Sequence, residues 1–204
     1  MYENQITNHK SQIIVAFGVM AALQANASLV TFDDLSGSEP QIQNGYAGLN
    51  WNNFYAVDGV NYWTPSGYQA GVESKNMVAF NGYGNTAVIS NQKFDLNSAY
   101  LTAAWRDNLQ VQVIGSLGSK VLYDKTYTLS ATARTQILFN YLGIDSVTFK
   151  STGGTDHQGY YQAWNNTTQF AMDNMVINAV PEPSNYVAGV SVLGMLVLAW
   201  RKRK

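Results

Sequence analysis

Two stretches concentrate side chains able to grip a hydroxyl-rich ring. They are Asn50-Trp51-Asn52-Asn53-Phe54-Tyr55 and the run from Tyr62-Trp63 to Tyr68, joined further on by Tyr160, Tyr161 and Trp164. Aromatic faces pack against the C–H faces of sugars, while Asn, Gln and Asp read hydroxyls. Aromatic residues also fill β cores, so the neighbours of each ring decide between packing and contact. Trp51 and Trp105 stand in alternating apolar runs and read as packing. Tyr62, Trp63 and Trp164 are flanked by Gly, Asn and Gln in expected loops. With Tyr68 and Tyr160 they form the candidate sugar-contact set.

A second chemistry is calcium binding. Hard oxygen ligands suit Ca²⁺, which gathers six to eight of them. If the first and last strands meet, Asp33 or Asp34 approaches Asp173, with backbone carbonyls nearby. The alternative is that Asp33 and Asp173 accept hydrogen bonds from turn backbone or pair with a lysine. No Asp-x-Asp-x-Asp-Gly loop is present to favour the metal.

Catalysis has little to work with. In the body of the chain the only histidine is His157, in a glycine-rich loop, and Gly-x-Ser-x-Gly does not occur. Asp58, Glu73, Asp95 and Asp107 are available for paired-carboxylate chemistry, but their spacing selects no pair. There is no cysteine, which removes disulfides, thiolate metal sites and a thiol nucleophile.

The elements that must position these residues lie between two apolar ends. Ile13 to Leu23 is an uncharged apolar run, and Ala25-Asn26-Ala27 supplies a small-x-small pattern. Residues 1–27 therefore read as a signal peptide cut after Ala27. Residues 28–179 form one domain, with seven cations against eleven carboxylates and so a net charge of −4. That balance offers no footprint for nucleic acid. Short apolar alternations recur through it: Leu29 to Phe32, Met77 to Phe80, Ala87 to Ser90, Tyr100 to Trp105, Leu109 to Gly115, Val121 to Leu129, Gln136 to Asn140, Ser146 to Lys150 and Phe170 to Ile177. Asn81 to Asn85 and Arg106-Asp107-Asn108 read as turns, the first of them hairpin-like. Many short strands predict an all-β, antiparallel sandwich or barrel.

The C-terminal end has three parts in fixed order. Val180-Pro181-Glu182-Pro183 stops any regular element, because both prolines lack a donor. An uncharged run from Tyr186 to Trp200 follows, about 22 Å long as a helix and short for a core of ~30 Å. Tyr186 and Trp200 suit the headgroup level at its ends. Arg201, Lys202, Arg203 and Lys204 close the chain, and they can snorkel and stay on the cytoplasmic side.

This tail resembles the PEP-CTERM sorting signal. The resemblance covers residues 180–204 and implies recognition by an exosortase, a membrane transpeptidase. It implies a transient inner-membrane anchor, cleavage near the Pro-Glu-Pro motif, and a Gram-negative bacterium that makes exopolysaccharide. Some family labels call such a tail an ice-binding protein C-terminal domain. A β ice-binding face would need arrays of Thr-x-Thr, and only Thr126-Tyr127-Thr128 looks like one, so the label describes the tail.

The opening strand Thr31-Phe32-Asp33-Asp34 and the closing strand Phe170 to Ile177 resemble those of carbohydrate-binding-module-like jelly rolls. That resemblance implies a jelly-roll sandwich whose two ends pair, flanked here by an N-terminal signal helix and a C-terminal transmembrane helix. The expected function is a non-catalytic surface or extracellular-matrix protein that contacts exopolysaccharide in a biofilm. An enzyme with paired carboxylates and a purely structural matrix subunit are the alternatives.

Overall fold

The computed structural model describes residues 27–160 and 168–179. Residues 1–26 of the expected signal peptide, residues 180–204, and Tyr161 and Trp164 lie outside the described residues. Among the described residues no helix is long and apolar enough to cross a membrane.

The chain is an antiparallel sandwich of jelly-roll type, with nine strands in the order β1 (Ala27–Val30), β2 (Asn50–Asn52), β3 (Phe54–Asp58), β4 (Met77–Asn81), β5 (Ala87–Ala103), β6 (Arg106–Leu117), β7 (Lys120–Leu129), β8 (Thr135–Asp156) and β9 (Phe170–Ala179). One short helix, α1 (Gly67–Gly71), lies between β3 and β4. Two strands are long enough to serve both layers. The first half of β5 pairs with β2 and with the second half of β8, and its second half pairs with β9 and the first half of β8. Register shifts between Ser90 and Ser98 let β5 bend from one layer to the other. One sheet is thus β3-β4-β9-β5-β8, with β1 beside the far half of β9, and the other is β2-β5-β8-β6-β7.

The expected meeting of the domain's first and last strands is present, but Thr31 to Asp34, expected to open the first strand, follows β1 as a turn in which Leu35 N–H donates to Phe32 O. Ala27 to Val30 pair with Asn178 to Met175. The two faces interdigitate over one core, in which Leu109, Val111 and Val113 are buried while Gln110 and Gln112 look outward. That is the alternation their sequence requires. At its centre Phe54 meets Trp51, Phe149 and Phe170 edge-on, at centroid distances of 5.4, 5.7 and 6.3 Å.

Three other sequence expectations change. Asn81 to Asn85 does not close a hairpin: β4 pairs with β3 and β9, and β5 starts in the other sheet. Buried Asn81 makes the crossing possible. Its amide donates to Asn85 O and Ser151 Oγ, and its Oδ1 accepts the Phe170 N–H. Arg106 to Asn108 is the start of β6, Asn108 taking φ 57°, and β5 and β6 do not pair. The two short strands expected at Gln136 to Lys150 are halves of one bent strand, β8.

Candidate functional site

The eighteen-residue connection from β3 to β4 decides where a ligand could lie. Asp58 starts it: its Oδ1 accepts the N–H groups of Val60 and Asn61, and its Oδ2 accepts from Asn61 Nδ2. Such an Asx turn sends the chain out over the sheet. Ser66 Oγ donates to Tyr62 O and Gln69 Nε2 to Val60 O, which gathers the excursion before and through α1. Gly67 N–H donates to Ala104 O at 2.8 Å, setting the helix directly on the sheet.

Beneath it the outer face of the sheet is apolar. Val57, Val78, Phe80 and Ala171 alternate with residues of the main core, and with Tyr68, Ala104 and Trp105 they make a second, smaller core. Tyr68 is its keystone, buried and edge-on to Tyr62, Phe80 and Trp105 at 5.5 to 5.6 Å. Burial pushes its phenol well above the ordinary range.

Between this insertion and the sheet opens a cleft of about 270 Å³, lined by Glu39, Tyr55, Tyr62, Trp63, Tyr68, Phe80, Gly82, Tyr83, Trp105 and Gln169. Its volume is near the lower end of small-molecule sites, roughly 300–1,000 Å³. Tyr68, Phe80 and Trp105 supply buried wall, whereas Trp63 is 51 % and Tyr83 73 % exposed. Gly82 permits this shape, because a Cβ there would meet the Tyr55 ring at 2.5 Å.

Two acceptors in the lining are Glu39 and Gln169 Oε1, beside the hydroxyl groups of Tyr55 and Tyr83. Tyr62 Oη donates to Glu39 Oε1, and burial together with that carboxylate holds the Tyr62 phenol above its ordinary range. Gln169 Oε1 is buried without a donor among the described residues. An acceptor left so costs about 1–3 kcal/mol unless a donor arrives. Glu39, Trp63 and Tyr83 all take positive φ, at 54°, 42° and 54°. Non-glycine residues of this size rarely do so, and such strain gathers at ligand sites.

Of the five candidate sugar contacts, Tyr62, Trp63 and Tyr68 line the cleft together. Tyr68 serves as wall, not as exposed platform. Tyr160 does not line it: its hydroxyl donates to Ala131 O, and its ring lies 4.3 Å from that of His157. Trp164 falls outside the described residues. Trp51 packs in the core as expected, donating from Nε1 to Tyr46 O. Trp105 is packed as expected too, yet forms cleft wall. Glu39, Phe80, Tyr83 and Gln169 had no sequence signal beyond composition, since long-range pairing alone brings them together.

Asp33 and Asp173 do converge, around Ser74. Asp173 Oδ2 accepts the N–H groups of Glu73 and Ser74 at 2.7 and 2.9 Å, and its Oδ1 accepts that of Asn174. Asp33 Oδ1 accepts from Asn76 and Met77 N–H, and its Oδ2 from Ser74 Oγ. Asp34 turns away to accept from Tyr46 Oη at 2.7 Å. Their oxygens face N–H and O–H donors, the arrangement of a hydrogen-bond clamp. Among the described residues no three carboxylate or histidine side chains gather to hold a metal. The clamp fixes the segment just after α1 and so holds the insertion in place. His157 is no free loop residue, since its Nδ1 lies 2.7 Å from Asp107 Oδ2.

No protein-family model matches the sequence, and no curated protein matches it. Among solved structures, the chain is similar to a mutant of a family 29 carbohydrate-binding module. The identity is 10 %, the TM-score 0.37, and the match covers 78 % of this chain and 99 % of that one. A likeness at that score carries no argument about this chain, whose chemistry rests on the cleft itself.

Proposed function

We propose that the chain is an exported surface or extracellular-matrix protein whose cleft holds exopolysaccharide without transforming it. The observation that carries this reading is the half-exposed Trp63 standing beside Glu39 and Tyr62 at the mouth of an aromatic cleft. An indole face and neighbouring acceptors are what a sugar ring needs, with its apolar C–H faces and its equatorial hydroxyls. Glycoside hydrolysis asks for two carboxyl groups about 5–10 Å apart across the substrate. The described lining offers one, Glu39.

The delivery half of the proposal rests on the sequence of the two ends. In it an exosortase acts on Val180-Pro181-Glu182-Pro183 after the Tyr186 to Trp200 segment has stopped in the inner membrane. β9 runs from beside Gln169, at the cleft, to Ala179, where the tail departs. Its ten residues span about 30 Å at ~3.3 Å each, so the cleft sits at the end of β9 opposite Ala179.

The test is retention of the protein on a panel of insoluble polysaccharides, compared with Trp63→Ala and Trp164→Ala. Retention lost with Trp63→Ala, while the melting temperature holds, supports the cleft. Unchanged retention of that variant would move the contact elsewhere.

A further inference from the structure

The charge of the cleft narrows its ligand further. Ten of the described residues line it, and none of these is a lysine or arginine, whereas Glu39 presents a carboxylate. Residues 161–167, which fall between Tyr160 and the cleft residue Gln169, contain no charged side chain and so add no cation. The basic residues around the site do not line it: Lys75, in the insertion, lines a separate hollow with Asp33 and Asp58, Arg106 pairs with Asp156 and donates to Gly154 O, and Arg134 pairs with Glu73. The body around the site is itself negative, at −4.

The hydrogen-bonding sense points the same way. Glu39 can only accept, and one of its oxygens already takes the Tyr62 hydroxyl. Gln169 Oε1 accepts nothing among the described residues. A donor on the ligand would complete these two acceptors. Sugar hydroxyls donate, whereas the carboxylate of a uronate or a sulfate group placed at Glu39 sets acceptor against acceptor and charge against like charge.

We infer that the cleft selects neutral, hydroxyl-bearing glycans and rejects those carrying carboxylate or sulfate groups. This rests on the reading of the cleft as a glycan site. Selection arises at Glu39 by repulsion as much as by attraction, which is how specificity is commonly built.

The experiment is affinity electrophoresis of the protein through gels containing a neutral glucan or mannan, or a polyuronate of matched length. Each gel is run at low and high salt, for the wild-type chain and for Glu39→Gln. The expected result is retardation by a neutral polymer and about fivefold or more weaker retardation by the polyuronate at low salt. High salt and Glu39→Gln should each narrow that gap, because screening and charge removal act on the same repulsion. Equal or stronger binding of the polyuronate, at the same salt, overturns the inference and leaves the glycan reading standing. A gap unchanged in Glu39→Gln overturns the assignment of selection to that carboxylate. Retardation by no polymer of either class sinks the glycan reading and the inference together.

Discussion

Replacing Gly67 by alanine sets two physical effects against each other. Helix propensity favours alanine over glycine by up to ~1 kcal/mol, so on local grounds the variant should gain stability. Packing says the reverse. A Cβ on Gly67 would lie 1.8 Å from Ala103 O and 2.9 Å from Ala131 O. Ordinary contact starts at 3.4 Å, so α1 must retreat from the sheet by about 1.6 Å, the difference between 3.4 and 1.8. That breaks the 2.8 Å bond from Gly67 N–H to Ala104 O, at about 1 kcal/mol. It also lifts Tyr68, now 2 % exposed, off Phe80 and Trp105. Uncovering a large part of such a side chain costs another 1–3 kcal/mol or so. The net expectation is a loss of roughly 1–3 kcal/mol, or about 3–12 °C in melting temperature for a domain of this size. Calorimetry with a glycan-retention assay on the same preparation reads both stability and cleft. A melting temperature equal to or above that of the wild type would refute the packing argument.

Phe54→Ala removes the ring shared by Trp51, Phe149 and Phe170 and should cost about 3–5 kcal/mol in urea unfolding. An effect under ~1 kcal/mol would mean the core collapses around the gap. Asp173 gives a pH signature. Burial raises its carboxyl above the ordinary range, against the pull of its three N–H donors, and Asp33 adds to the rise. A folded value above the unfolded one means that the stabilisation is present at low pH and lost as pH rises through the folded value. Wild type should therefore lose stability relative to Asp173→Asn between the ordinary carboxylate range and neutrality. A flat or opposite difference in urea midpoints would contradict this. Calcium added after chelation should leave the melting temperature unchanged, because the oxygens of Asp33 and Asp173 already face N–H and O–H donors. A clear rise on titration would restore those residues as ligands.

The sandwich was legible because strand periodicity is local. Leu109, Val111 and Val113 show their buried face in the order of residues alone, and β7 and β9 emerge nearly where their apolar runs lie. Pairing was less legible. A hairpin at Asn81 to Asn85 is a reasonable expectation from turn residues, but the buried amide of Asn81 ties three separate segments and sends β5 into the other sheet. The bent strand β8 read as two strands because its bend falls where apolar alternation is interrupted, near Gly143 at φ 65°.

For the site, Tyr62, Trp63 and Tyr68 stood out by density and by their loop-like neighbours. Glu39 and Gln169 did not, since their partners lie far off in sequence. The Asp33 and Asp173 pairing followed from the expected meeting of the terminal strands. What sequence could not give was the identity of the donors around those two carboxylates, which come from the segment after α1.

Oxidative footprinting of Trp63 tests the central claim most directly. With mass-spectrometric readout by peptide, a retained neutral polysaccharide should protect Trp63, which is 51 % exposed without it, while Trp51 at 5 % stays unreactive in both states. Trp63 oxidised equally with and without bound polysaccharide would contradict the account, because the sugar would then be held somewhere other than the cleft.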